Sequence, residues 1–190
     1  VIARHARRGP KRMGGHIEPL TRALVTVDVR ADRNLATLKQ ARAVQVFPNV
    51  RGDLLRYALA TTMSEVVLNL MPEHAPEPGM YELLLRAWTA LDAPARPATE
   101  ELLLLFELRV LEGLGSLPPL DDVGGWSPQV AAVVQGWQDG RWALLPAGER
   151  AAVSRALEGL IQDASGRVLR SRAFLDEQLQ EAAAAEALAR

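Results

Sequence analysis

Phe47-Pro48-Asn49-Val50-Arg51-Gly52-Asp53 is where the periodicity of this chain changes. Upstream, Val25, Val27 and Val29 alternate with Thr26, Asp28 and Arg30. A period of two puts the valines on one side of a strand and the polar residues on the other. Ala31-Asp32-Arg33-Asn34 supplies turn residues, and Leu35-Ala36-Thr37-Leu38 opens a partner strand. Val1 to Arg7 is a weaker strand candidate, entered partway as in a portion of a longer chain. Downstream of Phe47 the spacing becomes helical. Asp53 is placed to cap a helix that Pro72 stops, with Leu55, Leu59, Met63, Val66, Val67 and Leu70 as its apolar stripe.

The helical period continues to the end of the chain. A second helix is expected over 80–91 and a third over 99–114. The third contains Leu102-Leu103-Leu104-Leu105-Phe106, which is apolar on all sides and therefore central to a helical core. Residues 117–126 read as a loop, and Ser127-Pro128 has the N-cap and first-turn chemistry of a short helix. A long helix is expected over 147–163, and another from near Gly166 to the Ala/Glu-rich end. The fold class is α+β, with a β segment at 1–52 followed by an all-helical domain at 53–190.

Of 190 residues, 48% are hydrophobic and 24% charged, the balance of a chain that buries a core. There is no cysteine, which excludes disulfides, thiol catalysis and cysteine-based zinc sites. No apolar run reaches the roughly 18–20 residues of a membrane span, and the start has no signal-peptide pattern. The net charge of −1 conceals a division. Residues 1–52 hold 11 basic side chains against 3 acidic ones, a net +8, and the remainder is −9. Charge of opposite sign in two segments points to different partners, because it governs long-range attraction and not fold.

No catalytic constellation is present. His5, His16 and His74 stand outside any His-Glu-x-x-His pair, no Gly-x-x-x-x-Gly-Lys run occurs, and the serines lack a nucleophile-elbow context. Glu100 and Glu101 are adjacent on a helix and read as charge at its N-terminus.

The sharpest signal is Arg4, Arg7, Arg8, Lys11 and Arg12, five cations within nine residues and no acid among them. Arginine binds phosphate bidentately, and Gly9, Gly14 and Gly15 allow close backbone approach, so the run suits a nucleic acid. A solvated loop that serves solubility is the plainer alternative. Phe47 is the only aromatic residue among 1–52, so a base-stacking platform is missing or lies elsewhere. In the helical part a core accounts for most of the aromatics, while Trp126, Trp137 and Trp142 flank glycine turns where a groove would open. Arg167, Arg170 and Arg172 beside Phe174 form a candidate site for a partner peptide's carboxylate, with helix-dipole capping as the alternative.

The ordered words resemble those of the bacterial DNA repair family RecO. They are Ala3-Arg4-His5-Ala6-Arg7-Arg8 with Gly14-Gly15-His16-Ile17-Glu18-Pro19-Leu20, then Leu35-Ala36-Thr37-Leu38-Lys39-Gln40-Ala41, then Phe47-Pro48-Asn49-Val50-Arg51-Gly52-Asp53. Leu105-Phe106-Glu107-Leu108-Arg109-Val110-Leu111 with Leu114-Gly115, and the stretch from Gly166 through Arg172 to Leu175, complete the series.

The resemblance implies an N-terminal OB-fold β-barrel, here without its opening strands, followed by a helical domain. It implies a recombination mediator and not an enzyme. Such proteins bind single- and double-stranded DNA, anneal complementary strands, form a complex with RecR, contact the C-terminal tail of single-stranded DNA-binding protein, and help load the recombinase. Arg4, Arg7, Arg8, Lys11, Arg12, Arg22, Lys39 and Arg42 would then lie on the DNA face. The location implied is cytoplasmic and nucleoid-associated. Many members carry a four-cysteine zinc site after the Leu-Gly of the third helix; with no cysteine here, no metal or other cofactor is expected. A helical protein-interaction module whose basic arm docks an acidic partner is the alternative.

Overall fold

A computed structural model of the chain describes residues 17–29, 36–72, 76–95, 97–123, 126–146 and 148–188. The element order is β1 (Thr21–Asp28), β2 (Thr37–Val46), α1 (Pro48–Gly52), α2 (Leu54–Leu70), α3 (Pro78–Asp92), α4 (Glu100–Gly113), α5 (Pro128–Gln138), α6 (Arg150–Ser165) and α7 (Arg172–Leu188), with a 3-10 turn at Leu120–Asp122. The described β structure is one antiparallel pair, β1 on β2, and not a closed barrel. His5, His16, His74, Arg30 and Arg33, with the basic run from Arg4 to Arg12, lie outside the described residues.

Residues directly opposite each other in an antiparallel pair share a face. Val25 pairs with Ala41 and Val27 with Leu38, while Arg22 pairs with Gln45 and Leu24 with Arg42. The expected alternation therefore holds, with an apolar side and a polar side carrying two arginines. The apolar side is only partly covered, however: Leu38 and Ala41 are buried, whereas Val25 is 49% exposed and Val27 38%.

The hairpin is joined to the helices by Leu20, Phe47 and Val50, all buried in the main core. Leu20 has a left-handed backbone (φ 53°), which costs a leucine about 1 kcal/mol, and the burial of its side chain offsets that strain. Between β2 and the expected first helix stands the separate turn α1. Pro48 fits its first position, and Asp92 Oδ1 accepts the N–H groups of Asn49 (2.8 Å) and Val50 (3.1 Å).

Asp53 caps α2 as expected, its carboxylate accepting the N–H of Arg56 at 2.9 Å. The apolar helix is α4, and it is central: Leu103, Leu104, Leu108 and Leu111 are fully buried, and α2, α3, α5 and α6 pack around it. Ser127 Oγ accepts from Val130 N–H (3.3 Å) at the start of α5, which Pro128 opens.

The last helix starts later than its expected start near Gly166. Gly166 adopts the left-handed conformation (φ 65°) and ends α6, its N–H donating to Gln162 O at 2.7 Å. The chain then runs irregularly to α7 at Arg172, so Arg167 and Arg170 belong to a connection and not to the helix.

Candidate nucleic-acid face and helical groove

Three of the basic residues assigned to the DNA face lie on the described hairpin. Arg22 and Arg42 project from the same polar side, by the pairing above. Arg42 is exposed. Arg22 reaches across to α3, where its Nε donates to Tyr81 Oη at 2.9 Å. Lys39 stands at the irregularity of the pairing and lies 3.4 Å from Asp28. Such exposed pairs contribute little to stability, so these cations stay electrostatically available to a polyanion. Among the paired residues described on this face Arg22 and Arg42 outnumber Asp28, which leaves it basic.

The four candidates for a peptide carboxylate do not form one cluster. Arg167 and Arg170 are exposed and border a shallow hollow with Glu65, Leu68, Asn69 and Val168. Glu65 of α2 accepts the backbone N–H groups of Arg170 (3.0 Å) and Ser171 (2.8 Å), which fixes the entry into α7. Partial burial pushes the Glu65 carboxyl up, but hydrogen bonding from Ser171 and Arg170 outweighs it and holds the group below its ordinary value. Phe174 is half-buried against the core.

Arg172 points the other way. Its side chain is buried and faces Glu100 (3.5 Å), Glu107 (3.8 Å), Glu158 (3.7 Å) and Asp176 (3.9 Å), with Ser154 Oγ accepting from its Nη2. Arg150 meets Glu101 at 2.8 Å beside it. Glu100, Glu101 and Glu107 are all buried, so the first two are more than N-terminal charge on α4. Burial pushes Glu107 up to about 8; Arg172 opposes that shift, and Glu100 and Glu158 add to it. Glu100 is also raised, by burial above all, against Ser154, Arg172 and Arg150. Sequence spacing held a sign of this group. Glu100 and Glu107 lie two turns apart and flank the apolar run Leu102–Phe106, and a carboxylate buried there needs a cation.

A groove opens where α3, α4 and the end of α5 meet. It encloses about 490 Å³, with Met63, Leu83, Leu102, Leu105 and Phe106 among its apolar lining. Trp137 is buried, its indole N–H donating to Ala143 O (2.8 Å), and Trp142 stacks on it at 6.0 Å and 16°. Trp142 is 50% exposed and forms one wall. Trp126 packs against the core and is not part of the lining. Arg86, Arg109 and Arg141 rim the opening. Arg109 is anchored by the carbonyls of Trp137 (2.8 Å) and Gln138 (2.9 Å), so it also closes the C-terminus of α5. An apolar channel with cationic edges suits an acidic peptide that ends in apolar residues. Sequence reasoning anticipated Trp137 and Trp142 there but missed Arg86, Arg109 and Arg141, which are far apart along the chain.

Among the described residues no helix is long and apolar enough to cross a membrane, and no cluster of His, Asp and Glu has the makings of a metal site.

Residues 51–125 match the family model for the recombination protein O C terminal. The chain is similar to the DNA repair protein RecO of Anaeromyxobacter sp. (strain K), at 38% identity over 64% of this chain and 47% of that protein. It is similar also to those of Syntrophobacter fumaroxidans, at 32% over 65% and 48%, and of Heliobacterium modesticaldum, at 30% over 70% and 52%. The chain spans about half the length of these curated relatives. The match begins within α1 and takes in α2, α3 and α4. The family-model match and relatives of one name at 30–38% identity support a RecO family protein.

Proposed function

We propose that the chain acts in recombinational DNA repair as a mediator that binds single- and double-stranded DNA and anneals complementary strands. The observation that carries this reading is the division of charge, +8 over residues 1–52 and −9 over the rest. Arginines on the β segment neutralise phosphates of two strands at once, which reduces their mutual repulsion and lets base pairing proceed. Arg22, Lys39 and Arg42 contribute from the hairpin, and Arg4, Arg7, Arg8, Lys11 and Arg12 add the densest run of positive charge in the sequence. The chemistry is binding and not turnover, and it needs no metal. The setting is the cytoplasm, at the nucleoid.

The acidic helical domain is the protein-binding half. The groove walled by Trp142 receives the C-terminal tail of single-stranded DNA-binding protein: its apolar end enters against Leu105 and Phe106, and Arg86 and Arg141 meet its carboxylates. The exposed pair Arg167 and Arg170 is a second place for a partner's acidic group, and RecR docks on the helical side left free of DNA.

The test is strand annealing with two complementary oligonucleotides. The chain accelerates duplex formation, and replacing Arg7, Arg8 and Lys11 together by Ala removes most of the acceleration. Equal annealing rates with and without the protein would refute the reading.

A further inference from the structure

The β segment of this chain has one aromatic residue, Phe47, and that ring is buried against Trp88 at 5.5 Å, edge to face. A single-strand binder usually stacks bases on exposed rings. The structure supplies such a ring from outside the β segment. Tyr81, in the first turn of α3, lies beside Arg22 of β1, though 59 positions separate them in sequence. It is 49% exposed.

The guanidinium of Arg22 donates to the Tyr81 hydroxyl at 2.9 Å, and its carbon is 5.8 Å from the ring centroid. The guanidinium thus lies over the ring near its hydroxyl, and with Tyr81 half exposed, ring surface remains for a planar partner. Arg22 shares the polar side of the hairpin with Arg42, so Tyr81 extends a face that already carries two cations. Between the ring and the strand lies a hollow of about 210 Å³, bordered by Arg22, Ala23, Leu84, Leu85 and Trp88. Drug-sized ligands occupy roughly 300 Å³ or more, so this one suits a single heterocycle. The indole N–H of Trp88, which borders it, is buried and has no acceptor among the described residues.

We propose that Tyr81 is the stacking platform for an unpaired base of single-stranded DNA, with Arg22 holding the adjacent phosphate at the ring's edge. This rests on the reading of the hairpin as a DNA-binding face. It assigns a DNA contact to the helical domain and gives the chain a contact that a single strand makes and a duplex does not. A duplex keeps its bases stacked on one another, so it offers phosphates to Arg22 but no ring to Tyr81.

The experiment is fluorescence anisotropy with a labelled oligothymidine, an abasic oligonucleotide of the same length and a duplex, on the 190-residue chain. Tyr81→Ala and Tyr81→Leu weaken oligothymidine binding about ten-fold. Both leave abasic and duplex binding within about two-fold of the parent. Tyr81→Phe, which keeps the ring and loses the hydroxyl, stays close to the parent on oligothymidine. Unchanged oligothymidine affinity in both Tyr81→Ala and Tyr81→Leu overturns the proposal while the DNA face stands. An equal loss on all three DNAs also overturns it, because charge or folding is then the cause. Failure of the parent chain to bind any of the three overturns the proposal and the reading beneath it together.

Discussion

Arg172 Nη1 lies 3.8 Å from Glu107 Oε1 with both side chains buried, and this contact joins the first residue of α7 to the middle of α4. Glu107 occupies α4, the helix that α2, α3, α5 and α6 surround, where an ionised carboxylate without a cation would be prohibitive. Arg172 compensates it, and the same guanidinium reaches Glu100 on α4 and Glu158 on α6. One side chain thereby fixes how three helices meet.

Removing that cation takes away the positive charge that Glu100, Glu107 and Glu158 share. Arg172→Met is expected to cost about 3–5 kcal/mol in urea denaturation at about pH 9, where Glu107 is ionised, and less at neutral pH, where it is mostly protonated. A loss below about 1 kcal/mol would mean that the carboxylates do not depend on it.

The raised carboxyl of Glu107 also sets a pH dependence. Its folded value of about 8 lies above the ordinary 4.5, so between those limits the folded chain holds a proton that the unfolded chain releases. Stability from this group is fully present below about 4.5 and is lost as pH rises through about 8. Glu100, raised in the same sense, adds to the trend. Thermal unfolding of Glu107→Gln should show a flatter decline in Tm from pH 5 to pH 8 than the parent. Identical slopes would contradict the assignment.

Asp53 holds the first turn of α2 through Arg56 N–H. Asp53→Ala is expected to cost about 1 kcal/mol by chemical denaturation, and Asp53→Asn much less, since asparagine caps nearly as well. Equal losses would point to the charge and not to the cap.

For the groove, the expected contact is on Trp142. Titrating the chain with the tail peptide of single-stranded DNA-binding protein should change tryptophan emission, and Trp142→Ala or Arg86→Glu should each weaken the affinity about ten-fold or more. Affinities that stay the same in both variants would remove the tail from this groove.

Local chemistry made much of the fold legible. Asp53, Ser127 and Pro128 mark helix starts because capping depends on neighbouring residues alone, and the all-round apolarity of α4 foretold its central place. The turn at α1 was not legible, since its cap comes from Asp92, 43 positions away. The late start of α7 was missed for a similar reason: Glu65 on α2 ties down the chain before it. The same holds for function. The basic run is visible as composition, but the pairing of Tyr81 with Arg22, the arginine rim of the groove and the inward turn of Arg172 arise only when distant segments meet.

If the β segment binds DNA through its cations, affinity depends steeply on salt. If Arg4, Arg7, Arg8, Lys11 and Arg12 each neutralise one phosphate, the slope of log affinity against log salt on a single strand is about −3.5. Affinity then falls about a hundred-fold between 50 and 200 mM salt. Replacing Arg7, Arg8 and Lys11 by Ala should make the slope shallower by about 2. An affinity that is the same at both salt concentrations, or a slope the triple variant leaves unchanged, would mean that these cations do not bind the DNA.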